Sequence, residues 1–175
     1  MKMQTNKPLH YLLCGLPFSG KTTVAYALEK QLGFVRLNID DVKFAHGFEG
    51  VSDDNVPEEA WEKIFAEMDR RLVEYLKQGK SVTNETVWVW KSWRDKPRKV
   101  AQEAGFTTKV LFIDVPEQAA RERLLVNRKT KKRFDVSDKI FEEAVRDFER
   151  PTQDEDVLVY DQTISVDEWI KRTFN

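Results

Sequence analysis

A single cysteine, Cys14, rules out any intrachain disulfide. The two histidines, His10 and His46, are far apart and have no metal-ligand spacing. No apolar run approaches the roughly 20 residues of a membrane span, so no membrane partner is expected. The opening segment, Met1 to Pro8, is polar and lacks the apolar centre of a signal peptide. Neither sign of charge prevails: 29 Lys and Arg face 30 Asp and Glu, for a formal net charge of -1. Such a chain has no overall attraction to nucleic acid or to an anionic membrane, although a local basic patch can still act. There is no internal repeat and no stretch resembling an interdomain linker. What remains is an ordinary globular composition over 175 residues, 41% hydrophobic and 34% charged. It predicts one domain over 1–175 with a core of its own, in the cytoplasm.

Against these absences one stretch is dense in information: Gly15-Leu16-Pro17-Phe18-Ser19-Gly20-Lys21-Thr22. It fits the phosphate-binding pattern G-x-x-x-x-G-K-[ST] at every fixed position. The flanks are those the motif requires. Leu9 to Cys14 is a near-continuous apolar run, as in a buried parallel strand, and Thr23 to Leu32 places Val24, Ala27, Leu28 and Leu32 on one helical face. Gly15 and Gly20 permit backbone angles that a Cβ would penalise, so the loop amides can converge on phosphate oxygens at the positive end of the helix. Lys21 then reaches the β- and γ-phosphates, and the Thr22 hydroxyl can ligate Mg²⁺. ATP and Mg²⁺ are the expected cofactors. Gly15, Leu16, Pro17, Phe18, Ser19, Gly20, Lys21, Thr22 and Thr23 are the expected binding residues.

The rest of the chain alternates strand and helix. Phe34 to Ile39 reads as a second strand and 43–55 as a loop or short helix. Pro57 opens a long helix whose stripe includes Trp61, Ile64, Met68, Leu72 and Leu76, and Gly79 ends it. Ser81 to Thr86 is a third strand running into Val87-Trp88-Val89-Trp90, with Ser92 as candidate cap of the next helix. Val110 to Val115 is a fourth strand, and Pro116 starts a helix. Ser137 can cap another, Val157 to Tyr160 is a fifth strand, and Ser165 to Glu168 fits a capping box. The pattern predicts a three-layer α/β domain with about five parallel strands.

In such a sheet the chemistry gathers beyond the carboxyl ends of the strands. Acids stand there: Asp40 and Asp41 after the second strand, Glu85 at the third, Asp114 at the fourth. A carboxylate in that place can hold Mg²⁺ or its waters, or accept the proton of an attacking hydroxyl. Asp40 is read as the base, with helix capping the alternative for Asp40 and Asp41. Glu85 is read as a metal-side acid or a surface acid, and Asp114 as a cap. The run Arg128, Lys129, Lys131, Lys132, Arg133 is read as a basic lid, about 127–137, rather than a solvated charge run. Arg123 and Arg128 are its first candidates for stabilising a transferring phosphoryl group. Trp88, Trp90 and Trp93 could be strand packing or a stacking surface.

With these residues in place, the chain resembles the small P-loop kinases of the AAA-type ATP-binding group, which include polynucleotide 5′-hydroxyl kinases, chloramphenicol phosphotransferase and zeta toxins. The loop resembles that group's GLPGSGKS/T segment, with Phe18 in place of a glycine. Asn38-Ile39-Asp40-Asp41-Val42-Lys43 resembles its S-x-D-x-x-R segment, and Asn84-Glu85-Thr86 its D-[AT]-[TN] strand end. The resemblance implies Asp40 as the carboxylate that activates the acceptor. It implies a lid helix over Pro116 to Arg128, and a place near the adenine for Phe148-Glu149-Arg150-Pro151. The expected activity is transfer of the ATP γ-phosphoryl group to a hydroxyl of a small molecule or a nucleic-acid 5′ end. The near-neutral charge favours the small molecule. An ATP-binding regulatory module with slow hydrolysis is the alternative.

Overall fold

The structure is a computed structural model that describes residues 7–86 and 88–174. Five strands, β1 (Leu9–Cys14), β2 (Val35–Asn38), β3 (Val82–Glu85), β4 (Thr107–Ile113) and β5 (Val157–Tyr160), form one sheet in the order β2-β3-β1-β4-β5. Every pairing is parallel. Parallel neighbours need crossovers, and helices supply them: α1 (Lys21–Leu32), α2 (Ile39–Ala45), α3 (Glu58–Lys77), α4 (Lys91–Glu103), α5 (Glu117–Thr130), α6 (Asp138–Asp147) and α7 (Val166–Phe174). The strand alternation decides which face each residue fills. Leu13, Leu111 and Ile113 pack with Val24, Leu28, Leu124, Phe141 and Ile170 under α1 and α5–α7. Leu37 and Val82 pack with Ile64, Met68, Leu72 and Leu76 of α3. The three-layer α/β fold with five parallel strands is therefore present. Among the described residues no helix is long and apolar enough to cross a membrane.

Several boundaries differ from the sequence reading, each for a tertiary reason. The second strand stops at Asn38, because its side chain accepts from Asp40 N (2.7 Å) and starts α2 there. Ser92 does not cap α4. The helix begins at Lys91 without a side-chain cap from the preceding residue, and the Glu149 carboxylate accepts the Lys91 N–H at 2.6 Å instead. Of the capping box at α7 only half forms: Ser165 Oγ accepts from Glu168 N, while the Glu168 carboxylate turns to Arg172. The third strand ends at Glu85: of its expected run into Val87-Trp88-Val89-Trp90, Val87 lies outside the described residues and Trp88 to Trp90 are not strand. Half of the basic run is helical, since α5 continues to Thr130 and only 131–137 is loop.

One buried ion pair fastens the loop after β3. Arg94 and Glu155 are both fully buried and meet through two bonds, Nε to Oε1 at 2.7 Å and Nη2 to Oε2 at 3.0 Å. Arg94 Nη1 also donates to the Trp88 carbonyl, and Thr152 N donates to Glu155. Breaking such a pair strands one buried charge, which costs about 3–5 kcal/mol. Arg94→Met should therefore lower the unfolding free energy by about that amount, and Arg94→Met with Glu155→Leu should recover most of it. Urea denaturation measures both. A single variant as stable as the parent would remove the pair from the account.

Candidate active site

The phosphate-loop pattern spans the end of β1 and the start of α1. Gly15 has φ 154°, and a Cβ there would lie 2.7 Å from Ser19 Oγ and 2.8 Å from the Ile113 carbonyl. Gly20, φ 105°, caps α1 without a side chain, and its Cβ would press on Gln162 Nε2 at 2.9 Å. The first-turn amides of α1 thus stay uncapped by protein. Phe18 is left-handed at φ 62°, strained for a residue with a side chain. Its ring packs on the apolar cluster beneath α1 and α5, which offsets that cost.

Two sets of donors hold the loop by its carbonyls. From inside, Lys21 Nζ donates to Gly15 O (2.9 Å) and Leu16 O (2.8 Å). From outside, Arg123 Nη1 donates to Ser19 O (2.9 Å) and Phe18 O (3.3 Å), and its Nη2 to Gln162 Oε1 (2.6 Å). Gln162 Nε2 closes the clasp on Ser19 O at 2.7 Å. Burial lowers the Lys21 pKa to about 8; a negative group inside the loop would restore its charge. Ser19 Oγ is buried without a partner. An orphaned hydroxyl, uncapped amides and a part-buried ammonium form a donor set that fits a phosphate chain. Thr22 follows Lys21 in the first turn of α1. Among the described residues no cluster of three or more His, Cys, Asp or Glu is placed to hold a metal. A divalent ion here would therefore share phosphate oxygens, as Mg²⁺ commonly does.

Beyond the clasp lies a cavity of about 400 Å³ between α1, α5 and the turn after β5, bordered by Gly20, Thr23, Arg123, Asn127, Arg133 and Gln162. Its volume lies within the range of small-molecule sites. Asn127 is buried and ties the lid to α5, donating to Arg133 O (3.1 Å) and accepting from Arg133 N (2.9 Å). The two expected lid cations part company. Arg123 borders the cavity, whereas Arg128 is engaged by Asp135, Asp138 and the Val136 carbonyl. Phe148 and Arg150 line a different hollow with Leu16 and Asp114, and Arg150 pairs with Asp114. The Phe148-to-Pro151 segment, implied to lie near the adenine, shares no lining residue with the cavity beside Arg123.

On the other side of the loop the acids gather. Asp40 sits in the first turn of α2, and burial followed by the Asp53 charge holds its carboxyl above the usual aspartate range. Glu85, at 3% exposure, ends β3 beside Asn38 of β2. Its charge is felt at both Lys21 and Asp40. Glu85 Oε2 accepts from Arg36 Nη2 at 2.9 Å, and the Arg36 guanidinium lies 3.7 Å from the Tyr26 ring centre. Lys43 is buried and points at Asp53 (2.7 Å) and the Val51 carbonyl (2.5 Å). The lid reaches this side too: Phe134 meets Phe44 of α2 with ring centres 6.2 Å apart. Trp88 proves to be packing, buried with its Nε1 on Asn84 O. Trp90 and Trp93 form an edge-to-face pair, with Trp93 42% exposed. The sequence reading missed Gln162, Arg36 and Asn127. Only Asn127, one turn after Arg123 on the lid helix, carried any local signal.

Residues 11–151 match the sequence profile of the AAA domain family. No curated protein matches the sequence. Solved structures match by shape. A sugar kinase from Janibacter sp. HTCC2649 is 17% identical, with a TM-score of 0.66 over 94% of this chain and 91% of that one. The Mycobacterium tuberculosis APS kinase CysC, in complex with AMPPNP and APS, is 21% identical, with a TM-score of 0.66 over 95% of each. A gluconokinase from Sinorhizobium meliloti 1021 is 17% identical, with a TM-score of 0.66 over 95% of this chain and 89% of that one. At such identities the likeness establishes the fold, that of P-loop kinases.

Gly15→Ala should collapse the phosphate loop, because the added methyl meets two atoms at under 3 Å. Affinity for a fluorescent ATP analogue is expected to fall by at least about tenfold, a loss of about 1.4 kcal/mol. Unaltered binding would show that the loop does not hold the nucleotide.

Proposed function

This chain belongs to the AAA domain family, and on that premise we propose that it is an ATP-dependent phosphotransferase acting on a hydroxyl acceptor. The carrying observation is that a part-buried ammonium on the phosphate loop, Lys21, and a carboxylate just past the end of the second strand, Asp40, both lie within the field of Glu85. The solved kinases of the same fold include one complexed with AMPPNP and APS, which supports placing a nucleotide at the loop.

The roles follow from position. The loop amides and Lys21 grip the phosphate chain, and the cavity beside Arg123 and Gln162 takes the nucleoside. Mg²⁺, when bound, would neutralise phosphate oxygens, with Thr22 as ligand and Glu85 acting through water. Lys132 and Arg133 bring the lid's charge over the cavity, and Arg123 keeps the loop in shape while facing the same space. Arg128 holds the lid by its acids and would join the chemistry only after leaving them. Asp40 accepts the proton of the attacking hydroxyl, a task suited to a carboxylate more basic than usual. Phosphoryl transfer to a hydroxyl is favoured where water is kept away, and the Phe134–Phe44 contact brings the lid to that side. A reducing, ATP-supplied compartment such as the cytoplasm suits a chain whose one cysteine is buried and unpaired.

Asp40→Asn should bind Mg-ATP nearly as the parent does and lose acceptor-dependent turnover by about 10²- to 10⁴-fold. Asp41→Asn should keep turnover. The pH dependence has a definite sign. Asp40 works only when deprotonated, and its folded pKa is raised. Parental kcat/KM therefore falls, on acidification, at a higher pH than an ordinary aspartate would give. Asp41→Asn removes a like charge and moves that fall to lower pH. ATP affinity measured beside acceptor-dependent ADP release reads all of this. Equal small losses at both positions would take the base role from Asp40.

A further inference from the structure

The acceptor side of the loop contains cations, but they are already spent on the protein's own groups. Arg36, with 12% of its side chain exposed, gives Nη2 to Glu85 and lays its plane on Tyr26. Lys43, with 5% exposed, divides its ammonium between Asp53 and the Val51 carbonyl. At the start of α4, past the loop that follows β3, Lys91 pairs with Asp154 and Asp95, and Arg94 is enclosed with Glu155. The lid cations Lys132 and Arg133 border the cavity on the nucleotide side. Around Asp40 stand Asp41, Asp53 and Glu85, with Lys43 beside them; Lys43 pairs with Asp53 and Arg36 with Glu85, while among the described residues Asp40 and Asp41 have no ion-pair partner. A phosphate, sulfate or carboxylate brought to Asp40 would meet that like charge, with Arg36 and Lys43 already engaged. Like-charge juxtaposition of this kind is a strong source of discrimination.

We infer that the acceptor is a polyol carrying no anionic group, neutral or amine-bearing, and that the internally paired Arg36 and Lys43 exclude anionic acceptors. This rests on the phosphotransferase reading above. It argues against a nucleic-acid 5′ end, where phosphates flank the reacting hydroxyl. An anion would have to displace Asp53 from Lys43 into solvent, or Glu85 from Arg36, which strands a buried carboxylate. An amine on the acceptor would instead find Asp53, whose side chain is 61% exposed, and Asp41.

The test is acceptor-dependent ADP release with saturating Mg-ATP, with products identified by mass. The acceptors are myo-inositol, D-glucose, glucosamine and kanamycin on one side. On the other are gluconate, glycerate, glucose 1-phosphate and a 5′-hydroxyl oligothymidylate. The expected result is turnover confined to the first group, by at least about tenfold in kcat/KM. Asp53→Asn, at an exposed carboxylate, frees Lys43 and should narrow the gap to the anionic acceptors by about threefold or more. Preferred use of any anionic acceptor by the parent overturns the inference and leaves the phosphotransferase intact. If Mg-ATP binds and no acceptor in either group raises ADP release, the phosphotransferase reading itself falls, and this inference falls with it.

Discussion

The site depends on how the phosphate loop is held by its carbonyls. A backbone turned so that its amides face inward must send its C=O groups elsewhere, and buried carbonyls need donors. Lys21 takes the first two, and Arg123 with Gln162 takes those of Phe18 and Ser19. These bonds set the strained angles of Gly15, Phe18 and Gly20. They also bring α5 and the turn after β5 against the loop, which is what creates the cavity beside it. The ring of donors and the space for a nucleoside are therefore consequences of one requirement.

Charge placement extends the same logic across the strand ends. Arg36 and Glu85 neutralise each other at the edge of the sheet, and Arg94 and Glu155 do so beneath the loop that follows β3. Buried pairs add little net stability, but they are costly to break and so fix geometry. What they leave is an uneven field. Lid cations stand by the nucleotide cavity, and the acids around Asp40 outnumber the cations paired with them. The field separates a phosphate side from a hydroxyl side within one small domain.

The strand–loop–helix unit and the sheet class were legible because their signals are local. Apolar runs, the spacing of Gly15, Gly20 and Lys21, and the acids at strand ends need no knowledge of distant partners. The element ends were less legible, because distant groups decide them. Glu149 caps α4, 58 residues away from Lys91. Gln162 reaches Ser19 across 143 residues from a turn with no motif of its own. Glu85 could be seen as a strand-end acid, but its pairing with Arg36 exists only once β2 lies beside β3. Arg128 looked equivalent to Arg123 in sequence. The helix direction sends one toward the loop and the other toward Asp135 and Asp138.

The central claim is that Lys21 serves phosphate first, and that its bonds to Gly15 O and Leu16 O shape the loop without carrying the stability of the domain. Its depressed pKa means that the folded interior disfavours the charge, so removing the amine should not weaken the structure through its charge. The direct measurement is Lys21→Ala, with thermal unfolding and ATP-dependent phosphoryl transfer recorded on the same preparation. The account predicts a melting temperature within about 4 °C of the parent, equivalent to at most about 1 kcal/mol, and transfer reduced by at least about 10²-fold. A folded variant with parental turnover would contradict it.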